Sequence, residues 1–260
     1  MKFKLIAILA FYLFTSDIAA QKKNDKYEYA TFTDSKGTEL NYRILYPVGY
    51  NKNKKYPLIL FLHGAGERGN DNESQLKHGA SVFAFGLEDH PAIVIAPQCP
   101  KEDYWSSAKF DRHKYPLDIE FNYNNPETDA FHASMELVKS FIKNKKADRK
   151  RVYVTGLSMG GMGTFEAIGR YPNLFAAAMV ICGGADLKAY GLKQAKVPFY
   201  IFHGDADAVV PVKHSREIYK KLSDLGGTVT YKEYPNINHN SWDFAFKESI
   251  YPTWFFQFKK

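Results

Sequence analysis

The chain has 260 residues, 45% of them hydrophobic and 24% charged. That is enough apolar material for one well-packed globular unit of α/β size and too much for a disordered chain. The formal charge of +7 is modest, and its densest patch, Lys143 to Arg151, falls where a helix should end and a surface loop begin; with no stacking platform or recognition helix beside it, the composition excludes a nucleic-acid binder.

Lys2 and Lys4 precede an apolar run from Leu5 to Phe14, and Ile18-Ala19-Ala20 stands before Gln21. This is the layout of a secretory signal peptide. The expected organisation is therefore a signal over residues 1–20 and one catalytic domain over 21–260, in a secreted or periplasmic protein whose mature charge falls from +7 to +6 as Lys2, Lys4 and Asp17 leave. The apolar run is too short to remain as a stable membrane span.

Glu28 to Thr33 and Glu39 to Tyr46 alternate and are β-rich, with Asp34-Ser35-Lys36-Gly37 between them, which predicts an antiparallel hairpin. Leu58 to Leu62 is a continuous apolar run of the kind buried on both faces of a parallel sheet, and it ends in His63-Gly64-Ala65-Gly66. Ala92 to Ala96 is another short strand. Ser106 to Asn125 has no period and is expected to be an irregular excursion bordering the site. Asn125 as cap and Pro126 at the first helical position predict a helix along which Phe131, Met135, Val138 and Ile142 recur. Ala176 to Ile181, Val197 to Phe202 and Thr228 to Tyr234 read as strands, and Ser215 to Leu225 as an amphipathic helix. This alternation implies a mainly parallel sheet covered on both faces.

Between the first long helix and these later strands lies the most informative stretch, where Val152 to Val154 and Phe165 to Arg170 flank Gly156-Leu157-Ser158-Met159-Gly160. A chance Gly-x-Ser-x-Gly is expected in about one chain in ten of this length, so its context must carry the reading. The context is a strand, a sharp turn and a helix, with Gly160, Gly161 and Gly163 crowding the first helical turns. Each costs about 0.5–1 kcal/mol relative to Ala there, which implies close backbone packing. The serine of such a strained elbow projects above the sheet.

A serine hydroxyl needs a base, and the base an orienting acid. His239, after the last strand, is the candidate base, while His63 and His203 end strands before glycines and are expected to brace loops. Asp207 is the preferred acid, with Asp205 and Asp186 as rivals. All these loops leave the carboxyl edge of a parallel sheet, where open α/β sheets bind ligands. The backbone N–H groups of Met159 and Ala65 are candidate donors to an oxyanion.

His63-Gly64-Ala65-Gly66-Glu67-Arg68-Gly69, Gly156 to Gly161, His203 to Pro211 and His239-Asn240-Ser241-Trp242 together resemble the secreted α/β-hydrolases of the carboxylesterase and prolyl-oligopeptidase-related group. Within that group the chain is similar to bacterial feruloyl and acetylxylan esterases and to phospholipase/carboxylesterases, from about Tyr27 onward. The resemblance implies an α/β-hydrolase fold with a mainly parallel eight-stranded sheet and helices on both faces, Ser158 as nucleophile, Asp207 as acid, His239 as base, and Ala65 and Met159 as oxyanion donors. It implies a serine ester hydrolase acting through an acyl-enzyme on acyl or feruloyl esters of polysaccharide, with no cofactor. A serine peptidase and a noncatalytic carbohydrate-binding relative are the alternatives. Trp105 and Trp242 lie in loops expected near the site and are candidate substrate-binding residues, and no spacing typical of a zinc or calcium loop is present. Cys99 and Cys182 are expected to be free thiols, because two strands of the fold would separate them by about 14 Å, twice the reach of a disulfide.

Overall fold

The computed structural model describes residues 26–111 and 113–260, so the segment read as a signal peptide lies outside the described residues. Among the described residues ten strands are present: β1 (Glu28–Thr33), β2 (Glu39–Leu45), β3 (Tyr56–Leu62), β4 (Ile93–Pro97), β5 (Lys109–Phe110), β6 (Ile119–Glu120), β7 (Ala147–Leu157), β8 (Ala177–Ile181), β9 (Phe199–Gly204) and β10 (Val229–Tyr234). Eight of them make one sheet in the order β1-β2-β4-β3-β7-β8-β9-β10, parallel from β4 to β10 and antiparallel at β1 and β2. This is the eight-stranded, mainly parallel sheet of the α/β-hydrolase fold.

The α-helices among the described residues are α1 (Ala80–Gly86), α2 (Asp129–Lys143), α3 (Met159–Arg170), α4 (Leu192–Ala195), α5 (Lys213–Asp224) and α6 (Trp242–Ala245). Because side chains alternate along a strand, β3 sends Leu58, Leu60 and Leu62 to one core and Ile59 and Phe61 to another. The first core is closed by Phe131, Met135 and Val138 of α2, Phe165 and Ile168 of α3, and Ile218 and Leu222 of α5. The second is closed by Ala80 and Phe83 of α1, Ala245 of α6 and the carboxyl-terminal Trp254 and Phe255. Burying each of the larger aliphatic and phenylalanine side chains among these stabilises by about 1.5–3 kcal/mol.

Two readings of the sequence need correction. The helix predicted from Asn125 begins three residues later, with Thr128 as N-cap accepting from the Phe131 N–H. The reason is competition: the Asn125 N–H is spent on a turn to Asn122, and the Asn125 carbonyl accepts from Arg170 of α3 at 2.7 Å. Secondly, the excursion from Ser106 to Asn125 carries a two-stranded ribbon, β5 with β6, rather than wholly irregular chain. Its docking is specific. The Leu117 N–H donates to Val209 at 2.9 Å, and the buried Glu166 carboxylate of α3 accepts from Ser106 Oγ and the Ser107 N–H while pairing with Arg170 at 2.7 Å.

Cys99 and Cys182 are both free and buried, and β3 and β7 lie between the strands that precede them. Burial pushes both thiols up from their usual range, so neither is a ready nucleophile.

Candidate active site

Strand register places the site. Leu62 pairs with Gly156, so the turn after β3 runs beside Leu157 and Ser158; Tyr234 pairs with Gly204, so the loops after β9 and β10 are neighbours. All four segments leave the same carboxyl edge.

Ser158 stands between β7 and α3 at φ 54° and ψ −115°, a left-handed conformation that costs a non-glycine residue about 1–3 kcal/mol. The turn closes only because its neighbours lack side chains. A Cβ on Gly160 would overlap the Leu62 carbonyl, and one on Gly156 would overlap the Gly160 carbonyl. The crowding of glycines in α3 is thus close backbone approach, as the composition of that turn suggested.

Ser158 Oγ lies 2.8 Å from His239 Nε2, and His239 Nδ1 lies 2.8 Å from Asp207 Oδ2. The preferred acid is the one in place. The rivals are occupied elsewhere: Asp186 accepts from the N–H groups of Tyr123 and Lys188, and Asp205 accepts from the N–H of Asn236 to cap a turn. Asn238 couples the acid and base loops, its side-chain oxygen accepting from the N–H groups of both Ala208 and His239.

Asp207 is held from three sides. Its Oδ1 accepts from the N–H groups of Val209 and Val210, and its Oδ2 accepts from His203 Nε2 at 3.2 Å as well as from His239. Burial alone would raise its carboxyl, but the hydrogen bonds from His203 and His239 outweigh burial and hold it well below the usual carboxylate range. His203 therefore braces the acid itself, a role its place at a strand end before a glycine did not reveal. Its Nε2 also meets the Val210 carbonyl at 3.0 Å and its Nδ1 meets Ser215 Oγ at 2.7 Å, so the ring is fixed on every polar atom. A charge-assisted hydrogen bond of this kind contributes about 1.5–3 kcal/mol. His203→Ala is expected to lower kcat by about 10- to 100-fold with little change in KM, and His203→Gln to recover part of the loss. An unchanged kcat beside a lowered Tm would show that His203 supports only the fold.

The turn after β3 begins at His63, which is buried. Its Nδ1–H donates to the Gly64 carbonyl at 2.6 Å, and its Nε2 accepts from the Cys99 N–H at 3.0 Å. Those two bonds define a neutral ring. They also aim the next peptide: with the Gly64 carbonyl drawn toward His63, the trans peptide turns the Ala65 N–H to the opposite side. Ala65 lines the cavity at Ser158, and a Cβ on Gly64 would press on Leu157 at 2.8 Å, so the turn and the elbow are packed as one body. Met159 is the first residue of α3, and its N–H has no acceptor within the helix.

Burial lowers the pKa of His63 from 6.5 to about 4. Below pH 6.5 the unfolded chain binds a proton that the folded chain refuses, so stability is full above pH 6.5 and falls between pH 6.5 and 4. The loss expected from this residue is roughly 3 kcal/mol at most. Thermal unfolding followed from pH 7.5 to 4 should show it as a falling Tm, and His63→Gln should flatten that part of the profile.

A cavity of about 270 Å³ opens at Ser158 and His239, walled by Met162, Val209 and Val210, by Tyr115 and Leu117 of the excursion, and by Trp242. Trp242 packs edge-on to the His239 ring at 5.3 Å. Trp105 does not reach the cavity. It is fully buried, with its Cβ and carbonyl against Gly163 and its ring edge-on to His63, so it is a packing anchor for α3 and the substrate role expected of it is withdrawn. Tyr115 and Leu117 take its place in the wall, and no periodicity marked them in the sequence. A second apolar hollow, of about 310 Å³ beside Tyr46, Phe83 and Leu87, shares no residue with this site.

A serine, histidine and aspartate joined by hydrogen bonds, contributed in the chain order Ser158, Asp207, His239 on the carboxyl edge of this sheet, with the nucleophile elbow intact, are the hallmark of α/β-hydrolases. The family comparison agrees: a family model described as phospholipase/carboxylesterase matches residues 47–250, and the chain belongs to this family of carboxylic ester hydrolases. The chain is 27% identical over 198 residues to lysophospholipase-like protein 1 of Mus musculus, covering 70% of this chain and 79% of the relative. It is 24% identical over 192 residues to carboxylesterase SOBER1 of Arabidopsis thaliana, covering 70% and 82%. Among solved structures, a thermostable esterase superposes with a TM-score of 0.81 at 38% identity, covering 91% of this chain; the chain spans 64% of that protein's length. A ferulic acid esterase from Anaeromyces mucronatus shares the fold, with a TM-score of 0.60 at 17% identity over 84% of this chain and 87% of its own.

Proposed function

We propose that residues 21–260 form the catalytic domain of an exported serine esterase that cleaves short acyl or hydroxycinnamoyl esters of polysaccharide through an acyl-enzyme. The observation that carries this reading is the unbroken chain from Ser158 Oγ through His239 to Asp207 at the wall of a small apolar cavity. In the proposed cycle Ser158 Oγ attacks the ester carbonyl carbon as His239 Nε2 takes its proton. The negative charge passes to the carbonyl oxygen, which the N–H groups of Met159 and Ala65 stabilise by about 3 kcal/mol each. His239 then returns the proton to the departing alcohol oxygen. Water, deprotonated by the same ring, frees the acid and restores Ser158. Asp207 keeps His239 in the Nδ1–H tautomer and stabilises the imidazolium.

The substrate class rests on three supports. A cavity of about 270 Å³ suits a short acyl chain or one aromatic ring, and it lies below the usual 300–1,000 Å³ range of small-molecule pockets. Its wall carries Tyr104, Tyr115 and Trp242, whose faces suit a hydroxycinnamoyl ring or a sugar. The layout of Met1 to Ala20 fits export toward an extracellular polymer. A panel of acetyl, butyryl, feruloyl and palmitoyl esters on free and sugar-linked alcohols, with matched amides, tests it through kcat/KM. We expect acetyl or feruloyl sugars to lead by at least 10-fold. Preference for palmitoyl esters would contradict the substrate class, and faster cleavage of amides would make the protein a peptidase.

A further inference from the structure

The geometry points to a zinc-class divalent cation site, unrelated to the ester chemistry, formed by Asp34 of the β1–β2 hairpin with His132 and Glu136 of α2. His132 Nδ1 lies 3.0 Å from Glu127 Oε2, so the Nδ1–H donates there and the opposite nitrogen, Nε2, faces Glu136 Oε1 at 3.5 Å and Asp34 Oδ2 at 4.0 Å. Both separations are too long for a hydrogen bond of useful strength. They are within the reach of a metal ion. Two ligands on bonds of 2.0–2.1 Å can stand up to about 4.1 Å apart, and tetrahedral ligands stand about 3.3 Å apart, so the ligand atoms must close on one another by roughly 0.2–1.5 Å to complete the site. The three ligand atoms all lie within 4.8 Å of one another.

The independent sign is a fully buried, unpartnered oxygen aimed into this space. The Asp34 side chain is 0% exposed; its Oδ1 accepts from the N–H groups of Lys36 and Thr38, but its Oδ2 has no hydrogen-bond partner. His132 Nε2 is likewise buried without one. Leaving a carboxylate oxygen and a ring nitrogen so is costly unless a cation joins them. Among the described residues no lysine or arginine pairs with Asp34, Glu127 or Glu136, so three carboxylates gather around one imidazole without a cationic side chain.

The surroundings are arranged as ligands' supports are. Glu127 orients the imidazole and is itself fixed by the Tyr171 hydroxyl at 2.5 Å, which gives the carboxylate–histidine pairing typical behind metal-bound histidines. Glu136 is fixed by the N–H and Oγ of Ser35, both at 2.8 Å. One imidazole nitrogen and two carboxylate oxygens suit zinc better than calcium or magnesium, which favour all-oxygen sets. Two ligating carboxylates balance its charge, and the partly exposed side is left for water. His132 and Glu136 are one turn apart on α2 while Asp34 closes the first hairpin, so the ion would clamp the edge of the sheet to the helix that covers it.

The test uses the whole chain without a histidine tag, stripped with chelator and titrated with zinc chloride by calorimetry and by thermal unfolding. One equivalent should bind, and Tm should rise by about 5 °C or more at 100 times Kd, while calcium and magnesium at the same concentration leave it unchanged. Asp34→Asn, which keeps the Oδ1 acceptor of the turn, and His132→Gln should abolish that equivalent, and Glu136→Gln should weaken it at least 10-fold, with unaltered ester hydrolysis in the absence of zinc. Cys182, Asp207 and His239 are a second cluster within metal-binding distance. Zinc there would register as inhibition that survives Asp34→Asn, and finding only that binding would overturn the proposal. So would the absence of binding at 1 mM, an undiminished equivalent in both variants, or an equal Tm rise with calcium.

Discussion

Replacing Ser158 with alanine is expected to lower kcat by about 10⁶-fold while leaving the fold intact. Among the described residues no other hydroxyl bonds His239 Nε2, and removing the nucleophile of such a unit costs about as much as removing all three members. The fold should even tolerate the change well. Ser158 Oγ is not a structural anchor, since among the described residues its side chain bonds only His239, and alanine keeps the Cβ already accommodated at φ 54°. Residual activity near that of the unchanged protein, with an unchanged Tm, would remove Ser158 from the mechanism.

The second large effect is expected at Asp207. In Asp207→Asn the amide oxygen can keep the N–H bonds from Val209 and Val210, which turns the NH₂ toward His239 Nδ1 and His203 Nε2. His239 must then accept at Nδ1 and carry its proton on Nε2, the atom that should receive the proton of Ser158. The expected loss is about 10⁴-fold in kcat. Asp186→Asn and Asp205→Asn should keep most of the rate, because their carboxylates serve backbone N–H groups away from His239. A collapse in Asp186→Asn with Asp207→Asn above a tenth of the normal rate would reassign the acid.

Much of this was legible in the sequence, and the limits have physical causes. Leu58 to Leu62 and Ala177 to Ile181 are buried on both faces, so their continuous apolar runs announce themselves. The elbow was legible because backbone collisions leave glycine alone at 156 and 160. Chain order then led to His239 and Asp207. By contrast, α1 has seven residues and buries only Ala80 and Phe83, too few for a helical period to register. Trp105 was misjudged because a tryptophan in a loop looks alike whether it packs or binds; only the contact with Gly163 decides. Tyr115 and Leu117 reach the cavity through a ribbon of two-residue strands held by Val209 and α3, a tertiary effect without a local signal. His203 and the Asp34, His132, Glu136 cluster depend on residues meeting across the fold, at distances no spacing rule encodes.

The central claim is that Ser158 is a nucleophile activated by His239 and Asp207. The most direct measurement is labelling of the folded protein with a fluorophosphonate, read by intact mass and by mapping the modified peptide. The account predicts a single adduct on Ser158, formed rapidly in the native protein, absent in Ser158→Ala, and slowed by at least 10³-fold in His239→Ala. A folded protein that stays unlabelled, or that carries its adduct on another residue, would contradict it.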